Sequence, residues 1–156
     1  MSRNFGGGSV MVWGAFGYKK KSEIVFLNGC QNAAMYQDVL SNHLWKMGRG
    51  MAGNKWIFQQ DNASIHNART TFEWFNKKNH GIGLACTVPR LESYREPQLV
   101  RLVYGGDKQY QTIVELKQAI QSQWDLMNQD GCKKLIDSMH KRCFDVIKIG
   151  GKSIKY

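Results

Sequence analysis

Acidic residues are scarce in this chain of 156 residues: 12 Asp plus Glu stand against 22 Lys plus Arg, a formal charge of +10. The isoelectric point is about 9.6. That deficit disfavours a neutral or cationic partner and favours a polyanion, because domains this basic carry the electrostatic footprint of nucleic-acid binding. No two of the four cysteines (Cys30, Cys86, Cys132, Cys143) stand at C-x-x-C spacing, which excludes a zinc ribbon. A disulfide framework is out of place in a chain that is 12% aromatic, and reduced thiols of a nuclear or cytosolic protein fit better. Long apolar runs are missing too. The longest uncharged stretch, Asn4 to Tyr18, holds five glycines, falls short of the roughly 20 apolar residues of a spanning helix, and makes a poor secretory leader. There is no internal repeat, no low-complexity tract and no interdomain linker, so residues 1–156 read as one domain.

What is present is enough apolar sequence, 42%, to exclude a disordered basic tail. Ser9 to Phe16 reads as a buried strand, Lys19-Lys20-Lys21 as a solvated turn, and Glu23 to Leu27 as a second strand closed by Asn28-Gly29. Met35, Tyr36, Val39, Leu40, Leu44 and Met47 recur at helical spacing, with Asn32 as N-cap and Gly48 and Gly50 as the stop. Lys55 to Gln59 returns to strand character. Ser64 is placed to cap the next helix, whose inner face is Ala68, Phe72 and Phe75, with Asn79 to Gly81 ending it. Ile82 to Val88 is a weak strand, and periodicity then disappears from Pro89 to Gln98. Order returns at Leu99 to Tyr104. Thr112 with Glu115 forms a capping box ahead of Ile113, Leu116, Ile120, Trp124 and Met127, and a last helix carries Leu135, Ile136, Met139, Cys143, Val146 and Ile147. The order β-β-α-β-α-β followed by helices predicts an α/β fold, a mixed sheet flanked by helices.

Asp61 is the most informative position for chemistry. It follows an apolar strand, and functional groups of α/β sheets collect at the carboxyl ends of strands. Flanked by Gln59, Gln60 and Asn62, its carboxylate suits a hard divalent cation. The competing reading is a turn, because Asp-Asn after a strand commonly serves as a turn or a helix cap. Gly6-Gly7-Gly8 lacks the strand-loop-helix context of a phosphate cradle.

The segment Trp56-Ile57-Phe58-Gln59-Gln60-Asp61-Asn62-Ala63-Ser64-Ile65-His66 resembles the second catalytic-Asp motif of the mariner-like transposases of the Tc/mariner superfamily. Gly6 to Phe16 (G-G-G-S-V-M-V-W-G-A-F) resembles the strand that follows the first catalytic Asp of that family, and Leu135 to Tyr156 resembles its C-terminus. The resemblance implies an RNase H-like core in which Asp, Asp and Glu hold two divalent ions, Mg2+ or Mn2+. Water or a 3′-hydroxyl then attacks a DNA phosphodiester. It further implies DNA as partner, both transposon ends and target DNA, together with self-association, and action in the nucleus. Carried over, Asp61 is the second acid and a metal ligand. The strand bearing the first acid, and the DNA-reading domains that precede the core in the family, are expected to be absent from 1–156, leaving a sheet truncated at its N-terminal strand.

Glu96 stands at the family's position for the third acid, with thirty-four residues between it and Asp61. Its surroundings differ. Family members carry a stretch like W-P-A-R-S-P-D-L-N-P-I-E-N-L, whereas this chain reads L-A-C-T-V-P-R-L-E-S-Y-R-E-P. A synonymous back-translation of Leu84 to Pro97, read one base later, spells W-P-A-R-S-P-D-L-N-P-I-E-N. With synonymous codons chosen in this way, a frameshift across this segment, restored near Gln98, would account for the mismatch. Pro97 also disfavours helix at Glu96, where the family's Glu opens one.

His66 matches the family's D-N-x-x-x-H, which suits a role near the substrate, but local bonding is the commoner role of a histidine at a helix start. Lys19-Lys20-Lys21, Lys77-Lys78, Lys133-Lys134 and Lys141-Arg142 suit phosphates or plain solvation. Trp13 and Trp124 lie on apolar faces and read as core. Two functions follow from different premises: a metal-dependent transposase catalytic core by kinship, and a non-catalytic remnant that binds DNA or a sister transposase by inventory. A generic RNA-binding module lacks any RRM or KH signature.

Overall fold

The computed structural model describes residues 10–52, 56–60, 63–78, 83–85 and 97–150. The fold is mixed helix and strand, in the order β1 (Met11–Trp13), β2 (Val25–Leu27), α1 (Ala33–Val39), α2 (Trp45–Ala52), β3 (Ile57–Gln59), α3 (Arg69–Lys78), β4 (Gly83–Ala85), α4 (Pro97–Tyr104), α5 (Ile113–Leu126) and α6 (Gln129–Lys148). β1 and β2 pair antiparallel, Met11 opposite Leu27 and Trp13 opposite Val25, and a further bridge joins Phe16 to Lys21. β3 and β4 pair parallel, Ile57 opposite Gly83 and Gln59 opposite Ala85. Among the described residues these are two separate two-stranded sheets rather than the single mixed sheet expected.

Period-two alternation makes β1 the divider between two cores. Trp13 and Ala15 face one cluster, built on Tyr36, Leu40, Leu44, Met47 and Phe75. Val12 and Phe16 face the other, built on Ile24, Leu99, Val103 and Trp124. Helices α1 to α3 therefore cover one side of this pair and α4 with α5 the other. In β3, Phe58 packs on Phe75 with ring centroids 5.9 Å apart, while Ile57 on the opposite face is 72% exposed.

The caps obey local sequence. Asn32 Oδ1 accepts from the Met35 amide at 2.9 Å. Thr112 Oγ1 accepts from the Glu115 amide at 3.1 Å, and Glu115 Oε2 reaches back to the Gln111 amide at 2.9 Å. Asn128 caps α6 in the same way, through the Gly131 amide at 3.0 Å. Pro97 occupies the first position of α4, where its missing N–H forfeits no helical bond.

Three expectations are corrected. Gly48 and Gly50 do not stop the second helical segment: α1 runs on through a π-helical turn, Leu40–Leu44, into α2, which contains both glycines. A repeat of four residues drifts about 40° around an α-helix, and the wider turn cancels that drift, so that Leu40 and Leu44 are both fully buried. Ser64 does not cap α3; it lies in a turn closed by the Ala63 carbonyl, which accepts from the His66 and Asn67 amides at 2.9 and 3.1 Å. The Ala68 carbonyl opens α3 instead, and Thr71 is buried beside Phe75 while Phe72 is half-buried. Lys21, finally, is not a solvated turn residue; its ammonium turns inward onto the last carbonyls of α5. The expected stop at Asn79 to Gly81 lies outside the described residues.

Candidate functional site at the end of strand β3

β3 ends at Gln59, and the next residue, Gln60, is gripped from two elements. The Tyr36 hydroxyl, on α1, donates to Gln60 Oε1 at 2.5 Å. Gln60 Nε2 donates to the His66 carbonyl at 3.4 Å, in the turn that leads to α3. The imidazole of His66 lies against the Tyr36 ring, centroids 4.2 Å apart and planes inclined by 31°. Behind them the fully buried Thr71 donates its hydroxyl hydrogen to the Ile65 carbonyl at 2.9 Å and accepts from Gln37 Nε2 at 3.5 Å.

This brace follows from burial. Tyr36 is only 4% exposed, and a phenol taken out of water needs a polar partner for its hydroxyl. Gln60 presents the acceptor because β3 runs parallel to β4 beneath α1 and α3 and delivers its carboxyl end to that spot. The helical periodicity assigned Tyr36 to the core, which is correct for its ring. The bond to Gln60 spans 24 residues, so no local pattern signals it. His66 bonds locally through its backbone, closing a turn, and its ring stacks on Tyr36.

Asp61 follows Gln60 directly in the sequence, and Asp61, Asn62 and Glu96 all lie outside the described residues. The described part of the site is thus the strand end and its brace. Among the described residues there is no group of three or more His, Cys, Asp or Glu side chains placed to hold a metal ion. Nor is any described helix long and apolar enough to cross a membrane.

The basic clusters divide. Lys21 is taken up by α5, and Lys133 lies 5.2 Å from the centroid of the Tyr18 ring. A hydrogen bond with Tyr18, then the charges of Tyr18, Asp137 and Asp130, hold the Lys133 ammonium above its ordinary value, so it stays charged. Lys77 and Lys78 are exposed in the last turn of α3, and Lys134, Lys141 and Lys148 are exposed along α6. Trp13 and Trp124 are core residues, as their apolar faces predict.

Comparison with known proteins gives a consistent result. Over 157 aligned residues the chain is 40% identical to the transposable element Tc3 transposase of Caenorhabditis elegans, covering 99% of this chain and 48% of that protein. It is 29% identical to the Tcb1 transposase of Caenorhabditis briggsae and 27% identical to the Tc1 transposase of C. elegans, in each case over 97% of this chain and 56% of the relative. The chain spans about half the length of the curated relatives it matches. No family model matches it.

Proposed function

We propose that this chain, a relative of the Tc-type transposases, is part of a DDE transposase catalytic domain with RNase H-like architecture. The observation that carries the reading is the 40% identity with the Tc3 transposase across 99% of these residues. The strand arrangement is compatible with it. Among the described residues β1 and β3 contribute Trp13 and Phe58 to one core yet share no ladder. A strand lying between them, antiparallel to β1 and parallel to β3, would join the two pairs into one mixed sheet.

On this reading Asp61 is the second acid and the residue that would hold Mg2+ or Mn2+, whose preference for oxygen donors its carboxylate meets. Bound metal would supply Lewis-acid activation for phosphodiester cleavage and strand transfer. The chain's own contribution is positioning: Tyr36 and the His66 carbonyl fix Gln60, the residue next to the carboxylate. Glu96 inherits the spacing of the third acid without its sequence setting, which a frameshift across Leu84 to Pro97 would explain. On this reading these 156 residues taken alone offer Asp61 as one acid of three, and taken alone they are expected not to cleave or join DNA. What they retain is salt-dependent DNA binding, in the nucleus.

Two experiments test this. Supercoiled plasmid carrying Tc-type terminal repeats is incubated with the chain and Mg2+ or Mn2+, and no nicking is expected; nicking lost in Asp61→Ala would overturn the incomplete-site reading. The nucleotide sequence from upstream of Met1 through Tyr104 is expected to spell W-P-A-R-S-P-D-L-N-P-I-E-N one base out of frame. A frame with other codons would remove the frameshift and leave Glu96 as an ordinary substitution of context.

A further inference from the structure

We propose that the surface where the β1–β2 turn meets the last turn of α2 binds the phosphate backbone of duplex DNA, through Lys19, Lys20 and Lys46. The inference rests on the reading of DNA as partner and names the surface that meets it. Charge is divided unevenly along the sequence: residues 1–22 contain no Asp or Glu, and neither do residues 39–60. The fold brings described parts of these two stretches together. The Gly17 amide donates to the Lys20 carbonyl at 2.7 Å, and the bridge of Phe16 to Lys21 closes the turn. Lys21 points inward to the end of α5, which leaves Lys19 and Lys20 exposed at the tip. The Lys20 side chain reaches α2, its Nζ lying 2.8 Å from where a Cβ on Gly50 would stand. Lys46, also exposed, is four residues earlier on that helix, about 6 Å along the axis and within about 40° around it.

None of the three ammonium groups is hydrogen-bonded or salt-bridged to a described residue. The acids nearest in sequence, Asp38 and Glu23, stand eight residues before Lys46 and three residues after Lys20, and neither pairs with them. At the α5–α6 junction beside Lys19, the acids are otherwise engaged. The Asp125 carboxylate accepts from Gln121 at 3.0 and 3.2 Å, and Asp130 lies in the field of Lys133. Lys20 also suits the negative end of α2, but that role does not extend to Lys19 at the turn tip or to Lys46 well inside the helix. Like charges gathered without carboxylates repel one another until a polyanion neutralises them. The phosphates of duplex DNA, one negative charge per about 1.7 Å of axis, supply that neutralisation. Lysine ammonium groups act as point charges and carry no base-reading geometry, so this surface binds without sequence preference. The aromatic rings at its border are already taken, Tyr18 by Lys133 and Trp45 by Trp74, so it suits a duplex backbone better than the splayed bases of a single strand.

The test measures binding of the whole 156-residue chain to a fluorescent 30-base-pair DNA duplex of arbitrary sequence, by anisotropy across a salt series. The wild type should show a steep negative slope of log K against log salt. The triple variant Lys19→Gln, Lys20→Gln, Lys46→Gln should lose about 2–3 from the size of that slope, at about 0.9 per phosphate contact. A control of equal charge loss at scattered exposed positions, Arg101→Gln, Lys108→Gln, Lys134→Gln, should keep the wild-type slope. Circular dichroism checks that both variants stay folded. Should the triple variant unfold, the double variant Lys19→Gln, Lys46→Gln, which spares the end of α2, should lose about 2. A slope unchanged in the Lys19, Lys20 and Lys46 variant, or lowered equally in the control, overturns this surface while leaving DNA as partner. A lowered urea midpoint with an unchanged slope assigns Lys20 to the helix end alone and overturns it likewise. No salt-dependent binding by the wild type overturns both readings. Tighter binding to a single strand than to the duplex would replace the backbone contact with base stacking.

Discussion

Lys21 and Trp124 hold each other from two sides. The Lys21 ammonium donates to the Trp124 carbonyl and lies 5.9 Å from the centroid of its ring, while Trp124 Nε1 donates to the carbonyl of Ser22 at 2.8 Å. The same ammonium donates to the Asp125 and Met127 carbonyls, each at 2.9 Å. Three acceptors around the end of α5 are thus met by one cation from the β1–β2 connection. Gln129 Nε2 adds a bond to the Lys19 carbonyl at 2.7 Å, so this connection clamps the junction of α5 and α6. Replacing Lys21 by Met keeps the stem and removes the charge. It should destabilise the protein by about 1–2 kcal/mol, the range for a partly buried cation at a helix C-terminus. Urea unfolding reads the loss, and an unchanged midpoint would show that water replaces the ammonium at no cost.

Gly48 and Gly50 should respond to alanine with opposite signs. A Cβ on Gly48 would run into the Trp56 indole, so Gly48→Ala should cost about 1–3 kcal/mol through overpacking. A Cβ on Gly50 meets the Lys20 side chain, closest at its flexible end, Nζ at 2.8 Å. Gly50→Ala should therefore stabilise by up to about 1 kcal/mol, the helix-propensity gain over glycine. Thermal unfolding of the two single variants decides it, and equal shifts would count against the close packing of Trp56.

Tyr36→Phe removes the donor to Gln60 and leaves a half-buried amide oxygen unmatched. About 1 kcal/mol should be lost. In a double-mutant cycle with Gln60→Ala, a coupling near that size is expected, since both residues share the one bond. Additive effects would mean that the brace on the strand end does not act as a pair.

Thr112→Ala should cost about 1 kcal/mol, the usual worth of an N-cap side chain. Thr112→Asn should restore most of it, because an amide oxygen can accept the same Glu115 amide. Chemical denaturation of the two variants makes the comparison, and equal losses would assign the effect to something other than the cap.

The features legible in the chain are those whose causes lie within a few residues. Asn32 and Thr112 cap because a short side-chain oxygen can reach an amide three residues on, and β1, β2 and β3 follow from brief apolar runs bounded by turns. The Tc/mariner resemblance was legible for a related reason: its second-Asp motif is contiguous, from Trp56 to His66. Glu96 was harder, because its position came from spacing alone and its neighbours did not agree.

What the tertiary structure decided is what depends on partners distant in sequence. Lys-Lys-Lys reads as a solvated turn until Trp124, 103 residues away, offers Lys21 a set of carbonyls. Gly48 reads as a helix stop until the Trp56 ring arrives where its side chain would have stood. Tyr36 reads as plain core until β3 brings Gln60 to its hydroxyl. Sequence alone determined the caps at Asn32 and Thr112, the strands and the kinship of this protein, since local hydrogen bonds and contiguous motifs are short-range. Packing decided the roles of lysine, glycine and tyrosine, since burial removes water, and only then must each buried charge, hydroxyl and ring find its own partner.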